Sequence, residues 1–281
     1  MKALLIVVAV AVAVCAGSAR ASSVPLRIVS LSPSATDDLF AVGAGKQVVA
    51  VDSLSNYPKQ APVTKLSAFT PNVEAIAKYK PDLVFVAFDE NHVVEQLAKL
   101  HIRVLLEPAA ANLAQVYSEI LQIGKVTGHG ANAKTVVAGM KQQVARIVKR
   151  VPRPATPLRV YHELDPTYYS VTSHTFIGQM YAMLGVKDIA DAASGTSDYP
   201  QLSAEYIVAS NPDLIVLADT VCCAQSWGTV SARPGWGAID AIKHHEVVRV
   251  DDSIASQWGT RTVLFLKAVA SAVHTLEARS A

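Results

Sequence analysis

Tyr57, Phe69, Phe88, Tyr168, Tyr169, Tyr199 and Trp258 all fall in segments that read as loops at strand ends, although aromatic residues make up only 6% of the chain. Aromatic side chains supply broad, flat contact area, and tyrosine adds a polar tip. Ser32, within Ser30-Leu31-Ser32-Pro33-Ser34, adds a hydroxyl where a strand runs into a helix. The chemistry open to such a set is non-covalent, the stacking and hydrogen bonding of a small ligand. A loop tyrosine beside a proline also serves simply to pack its own loop, so the reading rests on the group and not on any one member.

Glu74 and Glu205 are a second kind of candidate. Each opens one copy of a repeated pattern, E-x-I-x4-P-D-L-x3-A, found at residues 74–87 and again at 205–218. Both glutamates start a helix, where a carboxylate complements the helix dipole for less than about 1 kcal/mol. As a matched pair, one per repeat, they could also grip two equivalent cations on a symmetric partner.

Reactive chemistry is missing from the pattern. The eight histidines form no H-x3-H or H-E-x2-H pair, and only the fold could bring His162 and His174 together. No G-x-S-x-G elbow, phosphate loop or G-x-G-x-x-G follows a strand, so neither catalytic residues nor a cofactor are expected. Lys2 followed by the uncharged run Ala3 to Ala16 and by Ala19-Arg20-Ala21 reads as a cleaved export signal over residues 1–21. The run is shorter than the roughly 20 residues a membrane span needs. A lipid anchor on Cys15 is the alternative, disfavoured by Val14 where a small residue is wanted. Cleavage takes Lys2 and Arg20 from the 25 basic residues and so balances the 23 acidic ones. A neutral chain without a basic run argues against nucleic acid. Cys222 and Cys223 are then the only thiols, able to bridge each other in an oxidising compartment and unable to staple distant segments.

Elements that could position these residues alternate between strand and helix, which implies parallel-sheet α/β architecture. Strands are expected at 27–31, 48–51, 82–87 and 102–106, with helices at 35–42, 72–79 and 91–100. Residues 111–151 carry helical spacing without proline and read as one long linking helix, with Gly124, Gly128 and Gly130 able to bend or interrupt it. Beyond Pro152, strands at 158–163, 213–218 and 246–250 alternate with helices at 174–184, 203–210, 235–243 and 260–278. The repeat sets these out as two similar lobes, 22–110 and 152–281, each with a central parallel sheet flanked by helices. Pro81 and Pro212 end a helix just before a strand, so the Pro-Asp-Leu pairs read as punctuation. Two lobes leave a cleft, and ligands gather at the C-terminal ends of parallel strands. A helical linker favours small opening motions over a wide clamp.

With these residues in view, the chain resembles the cobalamin- and ferric-siderophore-type periplasmic binding proteins of ABC importers, most of all the vitamin-B12-binding members. Arg27-Ile28-Val29-Ser30-Leu31-Ser32-Pro33-Ser34, Ser55-Asn56-Tyr57-Pro58 and Pro71-Asn72-Val73-Glu74-Ala75-Ile76 carry the resemblance in the first half. Tyr199-Pro200-Gln201-Leu202-Ser203-Ala204-Glu205 and Ala232-Arg233-Pro234-Gly235-Trp236 carry it in the second. It implies a periplasmic, monomeric protein that captures a corrinoid between its lobes and delivers it to a dimeric permease. Tyr57, Phe69 and Tyr199 match aromatics that line the site in cobalamin binders, and Glu74 and Glu205 match glutamates that dock onto permease arginines. Two departures bear on the ligand. Phe69 and Tyr199 stand where one cobalamin-binding branch has tryptophan, and haem-binding relatives tend to carry an iron-ligating tyrosine about where Phe69 is. Ferric siderophores and haem are therefore the alternatives within the class, with only Arg233 and Arg261 offering strand-end cations for an anionic chelate. A secreted metal-dependent enzyme is the alternative outside it, opposed by the missing base, nucleophile and metal pair.

Overall fold

The computed structural model describes residues 24, 25, 27–153, 156–193, 195 and 197–280; the expected leader and Cys15 lie outside them. The first lobe contains β1 (Ile28–Leu31), α1 (Pro33–Ala41), β2 (Val48–Asp52), β3 (Val63–Leu66), α2 (Val73–Ala77), β4 (Leu83–Val86), α3 (Val93–Lys99) and β5 (Arg103–Leu106). Helices α4 (Leu113–Val126) and α5 (Gly130–Arg150) follow. The second lobe contains β6 (Leu158–Glu163), α6 (Phe176–Met183), β7 (Val186–Asp188), α7 (Ala204–Ser210), β8 (Leu214–Leu217), α8 (Trp227–Ser231), α9 (Asp240–Lys243), β9 (Val247–Arg249), α10 (Asp252–Ala255) and α11 (Thr262–Ser280). The strands form two parallel sheets, ordered β3-β2-β1-β4-β5 and β7-β6-β8-β9. The central strands β1, β4 and β8 are buried at every position, as expected of apolar runs covered by helices on both faces.

The repeated Pro-Asp-Leu does more than punctuate. Asp82 N–H donates to the Arg27 carbonyl at 2.8 Å while the Arg27 N–H donates to the Asp82 carboxylate at 2.9 Å. In the second lobe Asp213 and Arg159 repeat the exchange, at 2.8 Å in each direction. Each aspartate thus fastens the start of its strand to the start of the neighbouring central strand and fixes the register of the pair.

The helical linker expected over 111–151 consists of two helices and not one. Gly128 adopts a left-handed φ of +80° that ends α4, and the His129 N–H donates back to the Gly124 carbonyl at 2.7 Å. A Cβ on Gly124 would lie 2.3 Å from that of Ala133, so glycine is what lets α5 fold back against α4. Two strands escape the sequence pattern, β3 with its exposed edge residues and the three-residue β7. The helix expected over 235–243 is broken, a short 3-10 turn at Trp236–Ala238 preceding α9, with Gly235 left-handed at φ +81°.

One apolar core runs through both lobes and the linker, joining Ile28 and Leu39 to Ile120 and Val137, and these to Val160, Met180, Val216 and Leu266. A smaller cluster backs each sheet, around Ile76 and Val84 in the first lobe and around Tyr161 and Trp236 in the second.

Candidate functional site

The C-terminal edges of the two sheets approach each other. The segment after β9 crosses to the first lobe, where the Thr260 N–H donates to the Asp38 carboxylate at 2.9 Å and Arg261 lies 4.2 Å over the Tyr57 ring. On the other side the Gln179 amide of α6 donates to the Ala111 carbonyl, just after β5, at 2.8 Å. These links bound a cleft between strand-end loops.

On the first lobe's wall, Tyr57, Phe69 and Phe88 follow β2, β3 and β4, and all three are exposed. Phe69 and Phe88 stack at 5.5 Å with their planes 21° apart, and Phe69 leaves 59% of its surface in solvent. An exposed stacked pair is a flat apolar platform, unusual on a surface unless something covers it. Tyr57 also borders a pocket of about 390 Å³ with Asp37, Phe40, Gln143 and Arg261.

On the second lobe's wall, the loop after β6 pairs with the strand-like approach to α7. Tyr169 bridges Gln201, the Ser170 N–H donates to the Pro200 carbonyl, and the Leu202 N–H donates to the Tyr168 carbonyl. This ribbon leaves Tyr169 and Tyr199 exposed. Three other predicted contacts sit differently. Ser32 is buried and its hydroxyl accepts from the Ala35 N–H as the N-cap of α1. Trp258 is half-buried against the shared core, and Tyr168 is half-buried against the second-lobe core. Ser32 is thus spent on capping α1 and is closed to solvent, so the structure does not present it for the ligand contact expected of it, whereas Trp258 and Tyr168 keep part of their surface open.

Beneath the second wall the Arg233 guanidinium forms a bidentate pair with Glu163 at 2.5 and 2.7 Å. Asp219, wholly buried beside them, is held well above the usual carboxylate range by desolvation and by Glu163. Beneath the first wall lie Asp37, Asp38, Glu107 and Glu119, all buried. Desolvation pushes Glu107 up to about 9, with the Glu119 and Asp38 charges adding to it. Asp37 rises to about 7 through desolvation, opposed by Arg261 at 3.4 Å. Sequence reasoning missed these groups as a set. Glu163 and Glu107 were visible only as carboxylates at, or just after, the end of a strand.

Glu74 and Glu205 are exposed at the second positions of α2 and α7, whose N-caps Asn72 and Ser203 match as well. His162 and His174 are apart. His162 is buried against the Tyr181 hydroxyl at 2.6 Å and pushed down to about 3 by desolvation, whereas exposed His174 faces Asp198 at 3.3 Å. Among the described residues no group of three or more His, Cys, Asp or Glu is placed to hold a metal ion, and no helix is long and apolar enough to cross a membrane. Cys222 and Cys223 form a vicinal disulfide in the loop after β8.

A family model described as periplasmic binding protein matches residues 28–254. An uncharacterized ABC transporter substrate-binding lipoprotein of Bacillus subtilis is 31% identical over 89% of this chain and 80% of its own length. A cobalamin-binding protein of Halobacterium salinarum is 36% identical over 69% of this chain, which spans 54% of that relative. The periplasmic heme-binding protein RhuT of Roseiflexus, in apo form, shares the fold with a TM-score of 0.78 at 22% identity, over 89% of this chain and 98% of that one.

Proposed function

The chain belongs to the periplasmic binding protein family, and we propose that it captures a corrinoid between its two lobes and hands it to an ABC importer. Proteins of this family are substrate-binding transport proteins, not enzymes, and what they bind is cargo and not a cofactor. The observation that carries the corrinoid reading is the exposed Phe69–Phe88 stack on one wall, with Tyr169 and Tyr199 exposed on the other. Flat apolar surface on two sides suits a large planar macrocycle. The sequence likeness to a cobalamin-binding protein supports the same choice, whereas the likeness to a heme-binding protein is one of fold.

An anionic ferric chelate would want unspent cations. Arg233 is committed to Glu163, and Arg261 to Asp37, the Ser253 hydroxyl and the Tyr57 ring. Haem would want an axial ligand. Phe69 offers none, and the Tyr57 ring lies under Arg261. Delivery assigns Glu74 and Glu205 to two equivalent sites on a dimeric permease, with the protein acting as an exported monomer in the periplasm. The test is calorimetric titration of the purified protein with cyanocobalamin, a ferric siderophore and haemin. A preference for cyanocobalamin supports the reading; no corrinoid binding tighter than about millimolar sinks it.

A further inference from the structure

We propose that Arg233 is a positioning residue that holds the second lobe's ligand-facing loops, 164–170 and 219–226, in a single arrangement; the inference rests on the cleft being the ligand site. Its guanidinium joins three otherwise separate segments. It donates to both Glu163 oxygens at the end of β6, at 2.5 and 2.7 Å, and to the Gln225 side-chain oxygen after β8 at 2.9 Å. Two aromatic rings also pack against it, Trp236 at 4.5 Å and Tyr168 at 5.3 Å, their own centroids 6.0 Å apart. Gln225 in turn donates to the Cys223 carbonyl at 3.2 Å, which links the C-terminal side of the disulfide loop to the same cation, while Asp252 holds its other side through the Val221 and Cys222 N–H groups.

Tyr168 shows why a clamp is needed. It is a non-glycine residue held at a left-handed φ of +72°, a conformation that persists only where the surroundings over-determine it. The carbonyl of Tyr168 and both main-chain groups around Tyr169 carry the ribbon that presents Tyr169 and Tyr199. A buried ion pair is a weak source of net stability, because desolvation offsets most of the attraction. Its value lies in selecting one arrangement, and a planar five-donor group that meets a carboxylate bidentately and packs against rings is not replaceable by lysine. The side chain is only 13% exposed, so Arg233 acts on the ligand through the loops it holds.

The test combines hydrogen exchange read by mass spectrometry with cyanocobalamin titration, on Arg233→Lys, Gln225→Ala and each in a Tyr168→Ala background. Arg233→Lys should speed exchange in 164–170 and 219–226, leave residues 83–106 unchanged, and weaken cyanocobalamin by about tenfold, some 1.4 kcal/mol. In the Tyr168→Ala background the same substitution should cost clearly less than about tenfold, because one of the two loops it holds has lost its ring contact with the guanidinium. Gln225→Ala leaves the Arg233–Glu163 pair intact and should loosen 219–226 alone, which decides the matter if Arg233→Lys fails to fold. Unchanged exchange in both loops, or an equal loss of affinity in the Tyr168→Ala background, overturns the proposal. A wild type that binds no cyanocobalamin refutes the corrinoid reading, and hydrogen exchange in the two loops then decides by itself whether Arg233 holds them.

Discussion

Glu107→Gln should make the protein's stability less sensitive to pH. Glu107 directly follows β5, its backbone N–H donating to the Val86 carbonyl, and it is only 6% exposed among Asp38 and Glu119. The folded protein holds its proton up to about 9, against 4.5 for an ordinary glutamate. Between those values the folded state carries a proton that the unfolded chain has released. Stability therefore falls as pH rises, by at most about 1.4 kcal/mol per pH unit from this group. Glutamine keeps the shape and removes the titration. The stability of Glu107→Gln relative to wild type should then grow by up to about 3 kcal/mol from pH 6 to pH 8. Asp38 and Glu119 titrate in both proteins, so the difference between them isolates Glu107. Urea unfolding followed by circular dichroism at pH 6, 7 and 8 measures it. A difference that stays constant or shrinks with pH would refute the idea that burial, and not some unseen partner, holds the proton on.

Three further predictions concern the walls, the docking pair and the disulfide. Phe69→Ala and Phe88→Ala should each weaken cyanocobalamin by about tenfold, since each removes half of an exposed stack worth about 1 kcal/mol beyond its area; titration reads this, and wild-type affinity in both would exclude the platform. Glu74→Ala combined with Glu205→Ala should leave that affinity unchanged and abolish uptake by cells carrying the cognate importer, whereas lost binding would refute a docking role. Replacing Cys222 and Cys223 by serine should cost only about 1 kcal/mol in a thermal melt, because a bridge between adjacent residues closes almost no loop; a much larger loss would mean that the loop after β8 depends on the bridge.

The lobes were legible because their signals are local. Apolar runs such as Leu83–Val86 and Leu214–Leu217 can only be buried strands, and a proline before each fixes where the strand begins. Strand β3 was not legible, because Val63 and Lys65 are exposed at a sheet edge and leave no apolar alternation to read. The break between α4 and α5 was legible only as glycines that could bend a helix. What surrounds that break comes from far away in sequence, Val24 filling the space a Cβ on Gly128 would need and Gln47 donating to both the Pro25 and the Thr127 carbonyls. Exposed aromatics were easier to anticipate than buried ones for a related reason. Tyr57, Phe69, Phe88, Tyr169 and Tyr199 lie beside turn residues in strand-end loops, whereas Trp258 packs on a core built from both lobes and the Ser32 hydroxyl is taken up by the start of α1.

How the cleft can work follows from what joins its walls. A core that continues from Leu39 through Ile120 and Val137 to Met180 and Leu266 leaves the lobes no free surface on which to rotate far. The linker reinforces this, because α5 packs on both α4 and α11 and ties the closing helix of the second lobe to the first. The cleft edge is fastened too, by Thr260 on Asp38 and Arg261 over Tyr57. With large hinge motion opposed at the core, the linker and the rim, adaptation to a ligand is left to side chains and loops. On the corrinoid reading, selectivity then rests on how firmly those loops are held, which on the second wall is the role proposed for Arg233 with Glu163.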